Sequence, residues 1–267
     1  MIQGIDHLVI ISPDLEKAIA DASQAGFTVV PDGTHKDGNT HNALVAFQDG
    51  TYIELIAPTA GTEGKSHRWF PRLAKGGGLV DLCLASSDLA ADTARIREYG
   101  RHYSKPEENG RRRLDGVQLR WKGSMPPGAV GETGWPFLIE DVTPRENRVS
   151  TDPEETTHQN GAIGIAGVTI LTHNLSTAAD DFHVITGRDA DELTSPLDDQ
   201  PLAAFINFET SWLMLTHPTA GAAARHLEQI GPGPYSATIR THAGPITPGS
   251  GRSISPDLLS GAMFELA

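Results

Sequence analysis

The feature that most restricts the fold is an internal repeat. Gly4-Ile5-Asp6-His7-Leu8-Val9-Ile10 opens a strand, and Ser12-Pro13-Asp14-Leu15 leads into helical residues 16–26. Asp14 or Ser12 suits the N-cap, Leu15, Ile19 and Ala22 share a helical face, and Gly26 fits the stop. Strand-like segments follow at 27–30, 41–47 and 52–56, the last two joined by the hairpin signal Asp49-Gly50. The same order restarts at Gly78, with a strand over 79–84, a helix over 90–99 and strands over 117–121 and 135–140. It restarts again at Gly164, with a helix over 175–185 and strands over 204–208 and 212–216. The tail supplies a fragment of a fourth copy, with strands over 236–241 and 262–266. A repeat of this length means copies of one supersecondary unit stacked on each other. The chain is therefore expected to be α+β, built of four βαβββ units used as two pairs. Residues 143–161 are polar and carry Pro144 and Pro153, which reads as a linker. A boundary near 155 gives expected domains at 1–150 and 160–267.

Two residues are out of place in otherwise apolar strands, His7 in the first and Glu54 in the strand that closes the first unit. A buried carboxylate is costly unless it is paired, hydrogen-bonded or metal-bound. Aligning the Gly-x-x-x-apolar starts puts Asp81 at the place of His7, and Glu140 falls where Glu54 sits. Units facing each other across a pseudo-twofold axis would bring these four side chains into one cleft. Three carboxylates gathered there would repel one another unless a cation neutralises them. The third unit has Gly167 for His7 and Met214 or Leu215 for Glu54, and only Glu265 keeps the pattern in the tail. The chemistry is thus expected in the first pair, with the second pair structural or covering the cleft.

Three stretches carry a resemblance to a known superfamily: Gly4–Ile10 above, Thr40-His41-Asn42-Ala43-Leu44 with Asp49-Gly50-Thr51-Tyr52-Ile53-Glu54-Leu55-Ile56, and Pro136-Phe137-Leu138-Ile139-Glu140-Asp141-Val142-Thr143-Pro144-Arg145. Together they resemble the vicinal oxygen chelate superfamily of glyoxalases, bleomycin-resistance proteins and extradiol dioxygenases, and more closely its glyoxalase-like domain group. The resemblance implies paired βαβββ units curled into open barrels, the N-terminal pair complete and the C-terminal pair partly degenerate. It also implies a divalent metal chelated by adjacent oxygens of the substrate, with His7, Glu54 and Glu140 as ligands. Asp81 stands where the superfamily often has a histidine and is a fourth candidate. An extradiol dioxygenase needs two histidines and one carboxylate, and His41 supplies the second imidazole only if its strand faces the cleft.

His41, Asn42, Trp69 and Arg113 are candidate substrate contacts, and Arg120 and Arg145 are possible carboxylate clamps. Cys83, the single cysteine, lies mid-strand and reads as a core residue. An oxygen-rich site with an imidazole suits Mn²⁺, Mg²⁺, Fe²⁺, Ni²⁺ or Zn²⁺. The expected function is a metal-dependent lyase, isomerase or ring-opening enzyme acting on a small oxygenated molecule through a stabilised enolate, with Glu54 or Glu140 as general base. The alternative is a metal-free protein of the same fold that sequesters a small molecule. A net charge of −13 argues against nucleic acid or anionic membranes as partners. With no apolar run of membrane length and no signal peptide, a cytoplasmic monomer or homodimer is expected.

Overall fold

The computed structural model describes residues 1–35, 38–62, 65, 67–112, 116–195, 201–242 and 244–267. The first unit is β1 (Ile2–Ile11), α1 (Leu15–Gln24), β2 (Val30–Thr34), β3 (Thr40–Ala46) and β4 (Tyr52–Pro58). A short helix, α2 (Phe70–Leu73), crosses to the second: β5 (Gly78–Ser86), α3 (Leu89–Glu98), β6 (Glu107–Arg112), β7 (Gln118–Ser124) and β8 (Phe137–Asp141). Two more short helices, α4 (Arg145–Arg148) and α5 (Pro153–Thr156), lead to β9 (Gly164–Leu171), α6 (Leu175–Thr186), β10 (Ala190–Thr194), β11 (Pro201–Asn207) and β12 (Trp212–Thr216). Helix α7 (Gly221–Ile230) precedes β13 (Gly233–Arg240), β14 (Arg252–Ile254), a 3-10 turn (Pro256–Leu259) and β15 (Met263–Leu266).

The helix starts are copies of one local construction. Asp14, Asp88 and Asn174 each accept a hydrogen bond from the backbone N–H three residues on, at 2.9–3.1 Å. Ser12, Ser86 and Thr172 in turn accept from the backbone N–H of those caps. Each cap satisfies N–H groups that a helix start leaves without intrahelical partners. Leu15, Ala18 and Ala22 then bury the inner face of α1.

One sheet has eight strands in the order β2-β3-β4-β1-β5-β8-β7-β6, and the other seven in the order β10-β11-β12-β9-β13-β15-β14. At the centre of the first, β1 runs antiparallel to β5, while β4 and β8 flank them in parallel. This is an α+β fold of paired βαβββ units. One hydrophobic cluster runs through both halves, from Leu8, Ala22 and Leu84 to Phe182, Leu213 and Phe264. The stretch 143–161 packs tightly: Arg148, Thr156 and His158 are buried, and His158 bonds both Thr28 N and Ala46 O at 3.0 Å.

The strand register fixes which residues are equivalent. Asp6 is an extra residue in β1, since Ile5 pairs with Leu84 and His7 with Cys83. Val80 is the matching extra residue in β5, where Val9 pairs with Asp81 and Ile10 with Leu79. The same slips occur at Ala166 in β9 and Tyr235 in β13. Such bulges re-aim a side chain, and here they recur at one place in all four units.

The structure differs from expectation at the edges. Strands β6 and β10 (sequences EENGRR and ADELT) have no apolar alternation to announce them. Both are sheet edges that bury little. Segment 27–30 contributes only its last residue to β2, and the fourth unit has a 3-10 turn but no long helix between its strands.

Candidate active-site cleft

The concave face of the first sheet encloses a cavity of about 280 Å³. His7, Glu54, Asn42 and Trp69 line it, joined by Asp32, His35, Thr40, Tyr52, Trp121, Met125, Phe137 and Arg148.

His7 and Glu54 come together on the neighbouring strands β1 and β4, with His7 Nε2 3.7 Å from a Glu54 oxygen. The His7 ring stacks on Tyr52, centroids 4.4 Å apart, and meets the edge of Phe137. On its other side Nδ1 lies 2.6 Å from Asp6 Oδ1. Asp6 is fully buried, and burial opposes its ionisation. Arg148, the bond from His7 and Arg145 more than offset that and hold its carboxyl well below the usual range. An ionised Asp6 only accepts, so His7 Nδ1 donates to it and Nε2 is the nitrogen turned toward Glu54. The bulge makes this possible, because it lets consecutive residues reach the same side of the strand.

Glu54 is buried, and among the described residues no arginine pairs with it. Asn42 donates to Oε1 at 2.6 Å, and His35 Nε2 lies 3.3 Å from the same oxygen. Burial raises the carboxyl pKa, but the bonds and charges from His35, His7 and Asn42 outweigh it and bring it to about 2. His35 Nδ1 is 2.6 Å from the Thr40 hydroxyl. That hydroxyl donates or accepts with equal ease, so it serves either tautomer of the ring.

Two expected ligands stand elsewhere. Glu140 does not reach the cleft: Phe137 and Ile139 face inward, and Glu140 points the opposite way. There it accepts from Leu89 N at 2.7 Å, at the start of α3, and from Lys122 at 2.9 Å. The register explains this. Val9 pairs with Glu54, and its counterpart Cys83 pairs with Phe137, so Phe137 occupies the place of Glu54. Asp81 is buried near His7, but its charge is spent on Arg68 at 3.0 Å, and it accepts from Trp69 Nε1 at 2.8 Å and from Leu82 N. His41 does not line the cavity; Asn42 and Trp69 do. Arg113 lies outside the described residues. Arg120 is on the surface with Glu108, and Arg145 bonds Asp6, Asp141 and Gly50 O rather than facing a ligand.

Sequence reasoning overlooked Asp6, His35 and Arg148. The signal for Asp6 was its place beside His7. His35 sits in a loop rich in Gly, Asp and Asn, and Arg148 in a stretch read as a linker.

His7 Nε2 lies 3.7 Å from one Glu54 oxygen and His35 Nε2 3.3 Å from the other, donor types that suit a divalent ion of intermediate hardness, and a carboxylate stands behind His7 as it does behind metal-ligating histidines. Among the described residues, the three whose ligand atoms lie close enough together to share an ion are Asp6, His7 and Cys83. They fit one poorly, because Asp6 already serves two guanidinium groups and burial pushes the Cys83 thiol well up.

The second sheet has lost the equivalent site. Gly167 replaces His7, and the Trp212 ring lies over it, 2.1 Å from where a Cβ would stand. Met214 pairs with Thr169 and replaces Glu54. Glu265, in the fourth unit, bonds Thr238, Gly249 N and Gly251 N.

The sequence pattern of the glyoxalase-like domain family matches residues 5–186. No curated protein matches the chain by sequence. Among solved structures, the chain is similar to a hypothetical protein from Staphylococcus aureus, with 15% identity, TM-score 0.72 and 98% of each chain covered. It is also similar to a mutant of 4-hydroxymandelate synthase from Streptomyces coelicolor, with 13% identity, TM-score 0.59, and 90% of this chain and 71% of that one covered. A fusion of a xylose isomerase-like TIM barrel with 4-hydroxyphenylpyruvate dioxygenase matches at 15% identity and TM-score 0.57, over 90% of this chain and 37% of that one. At such identities the likeness is one of fold. The family pattern, which runs across both units of the first sheet, gives the conclusion: the chain belongs to the glyoxalase-like domain family.

Proposed function

We propose that the chain is a divalent-metal-dependent enzyme acting on a small oxygenated organic molecule in the cleft of the first sheet. The supporting observation is Glu54, buried, ionised and set between His7 and His35. His7, His35 and Glu54 would hold the ion, which would polarise adjacent substrate oxygens as a Lewis acid. The remaining residues serve that arrangement. Asp6 fixes the His7 tautomer, Asn42 anchors the Glu54 carboxylate, and Tyr52, Trp121 and Phe137 form an apolar wall for the carbon skeleton while limiting water. A carboxyl at about 2 is too weak a base for proton abstraction at neutral pH, so Glu54 is assigned to ligation. Two imidazoles with one carboxylate bring ring-opening oxygenase chemistry forward relative to lyase or isomerase chemistry. His35 thus takes the part considered for His41.

The test is elemental analysis and calorimetric titration with Mn²⁺, Fe²⁺, Ni²⁺ and Zn²⁺ on protein made without a histidine tag. Stoichiometric binding that is lost in Glu54→Gln and in His7→Ala supports the reading. Equal binding in wild type and variants ends it. The aromatic walls favour a second reading, a metal-free cup that sequesters a flat ligand. That reading predicts thermal stabilisation by aromatic compounds in chelator-treated protein, undiminished by Glu54→Gln.

A further inference from the structure

A second cavity, about 60 Å³, lies between α2 and the turn from α7 into β13. It holds the least compensated charge among the described residues. Arg72 is 8% exposed, no carboxylate pairs with it, and its Nε and Nη1 have no hydrogen-bond partner. An unpaired buried ion is strongly disfavoured. Burial lowers the Arg72 pKa, yet a guanidinium stays protonated in proteins.

The surroundings add positive charge. Arg68 lines the cavity with its Nε also unpartnered, and Lys75, at the rim, donates to Gln229 O at 2.6 Å. Asp81 is the single acidic residue on the lining, and it is committed to Arg68, Trp69 and Leu82 N. His226 faces Arg72; burial and then the Arg72 charge bring its pKa to about 4, so it stays neutral and free to donate. Glycines 131, 134, 231 and 233 leave much of the wall as bare backbone. A chain of net charge −13 has thus gathered cations around one small space.

We propose that this cavity is an anion site, separate from the cleft, which takes a small oxyanion (phosphate, sulfate or a short carboxylate) beside the guanidinium of Arg72. The charges of Arg72 and of Lys75 at the rim would meet that of the anion there. The site also touches the cleft indirectly, since Arg68 holds Asp81, and Asp81 holds Trp69 in the cleft wall.

The test is calorimetric titration of the full chain with potassium phosphate, sulfate and acetate at constant ionic strength set by KCl. Saturable binding of at least one is expected, and their ranking separates a tetrahedral from a planar ligand. Arg72→Met should melt above wild type in anion-free buffer and bind the anion roughly thirtyfold or more weakly. Lys75→Met, at the rim, should fold normally and weaken binding by about threefold. It decides the matter if Arg72→Met does not fold. Glu54→Gln should leave anion affinity unchanged, which separates this site from the proposed metal centre. Three results overturn the proposal: no saturable binding of any of the three anions by wild type, affinity indifferent to both cavity variants, or affinity lost in Glu54→Gln. A folded Arg72→Met that melts below wild type in anion-free buffer also counts against it.

Discussion

Arg148 grips Asp6 across 142 residues of chain, its Nη1 and Nη2 lying 3.1 and 3.0 Å from the two carboxylate oxygens. The same guanidinium bonds Tyr52 Oη at 2.8 Å and Asp141 at 2.7 Å, so one side chain ties β1, β4, β8 and α4 together.

Removal of that grip leaves a fully buried carboxylate without its main partner. Arg148→Met is expected to cost about 3–5 kcal/mol. Arg145→Met, at a side chain 32% exposed, should cost well under half as much. Denaturant melts of the two variants check the ranking, and equal losses would refute the central place given to Arg148.

Asp6 stands behind His7, whereas Glu140 faces away from the cleft. Asp6→Asn should therefore weaken divalent-metal binding by about 10–100-fold, and Glu140→Gln should leave it unchanged. Titration calorimetry with Mn²⁺ on folded variants reads both. A loss in Glu140→Gln would restore the alignment that the register overturned.

His158 welds residues 157–161 to the first sheet only as a neutral ring, because its Nδ1 must accept from Thr28 N. Burial pushes its pKa below 6.5, against a smaller opposing effect of the bond to Ala46 O. As pH falls below 6.5, the unfolded chain takes up a proton that the folded chain refuses, so stability declines and levels off below the folded pKa. His226 adds to the same slope down to about 4. His158→Gln keeps a donor and an acceptor without titrating. It should remove up to about 1.4 kcal/mol per pH unit from the slope between 6.5 and the lower folded pKa. Urea melts at several pH values give the comparison, and an unchanged slope would sink the assignment.

Gly167 accommodates the Trp212 ring, so a methyl group there meets aromatic carbons at once. Gly167→Ala should cost about 1–3 kcal/mol. Combined with Trp212→Leu, which frees the space, it should cost much less than the sum of the two single changes. Additive losses in a double-mutant cycle would show that the ring is not what excludes side chains there.

The repeat was legible in sequence because each unit restates a cap, a short amphipathic helix and two buried strands, all of them local or periodic signals. His7 and Glu54 were legible as polar residues amid apolar ones. Glu140 misled for a related reason. The pattern placed a carboxylate near the right strand, but strand parity depends on where pairing starts, and a slip of one residue reverses the face. The long β7–β8 connection moved that start, and its length in sequence does not say where pairing resumes. His35, Arg68 and Arg148 lay in segments without periodicity, so their targets were set by tertiary packing that no local pattern encodes.

The slip at Asp6 recurs at Val80, Ala166 and Tyr235, so the kinked backbone is common property of four units that share almost nothing else at that spot. The socket is fourfold and its acidic tenant is single. An Asp-His pair placed in another of these kinks would start from a scaffold already bent to receive it, and a second centre in this molecule becomes a matter of side chains alone.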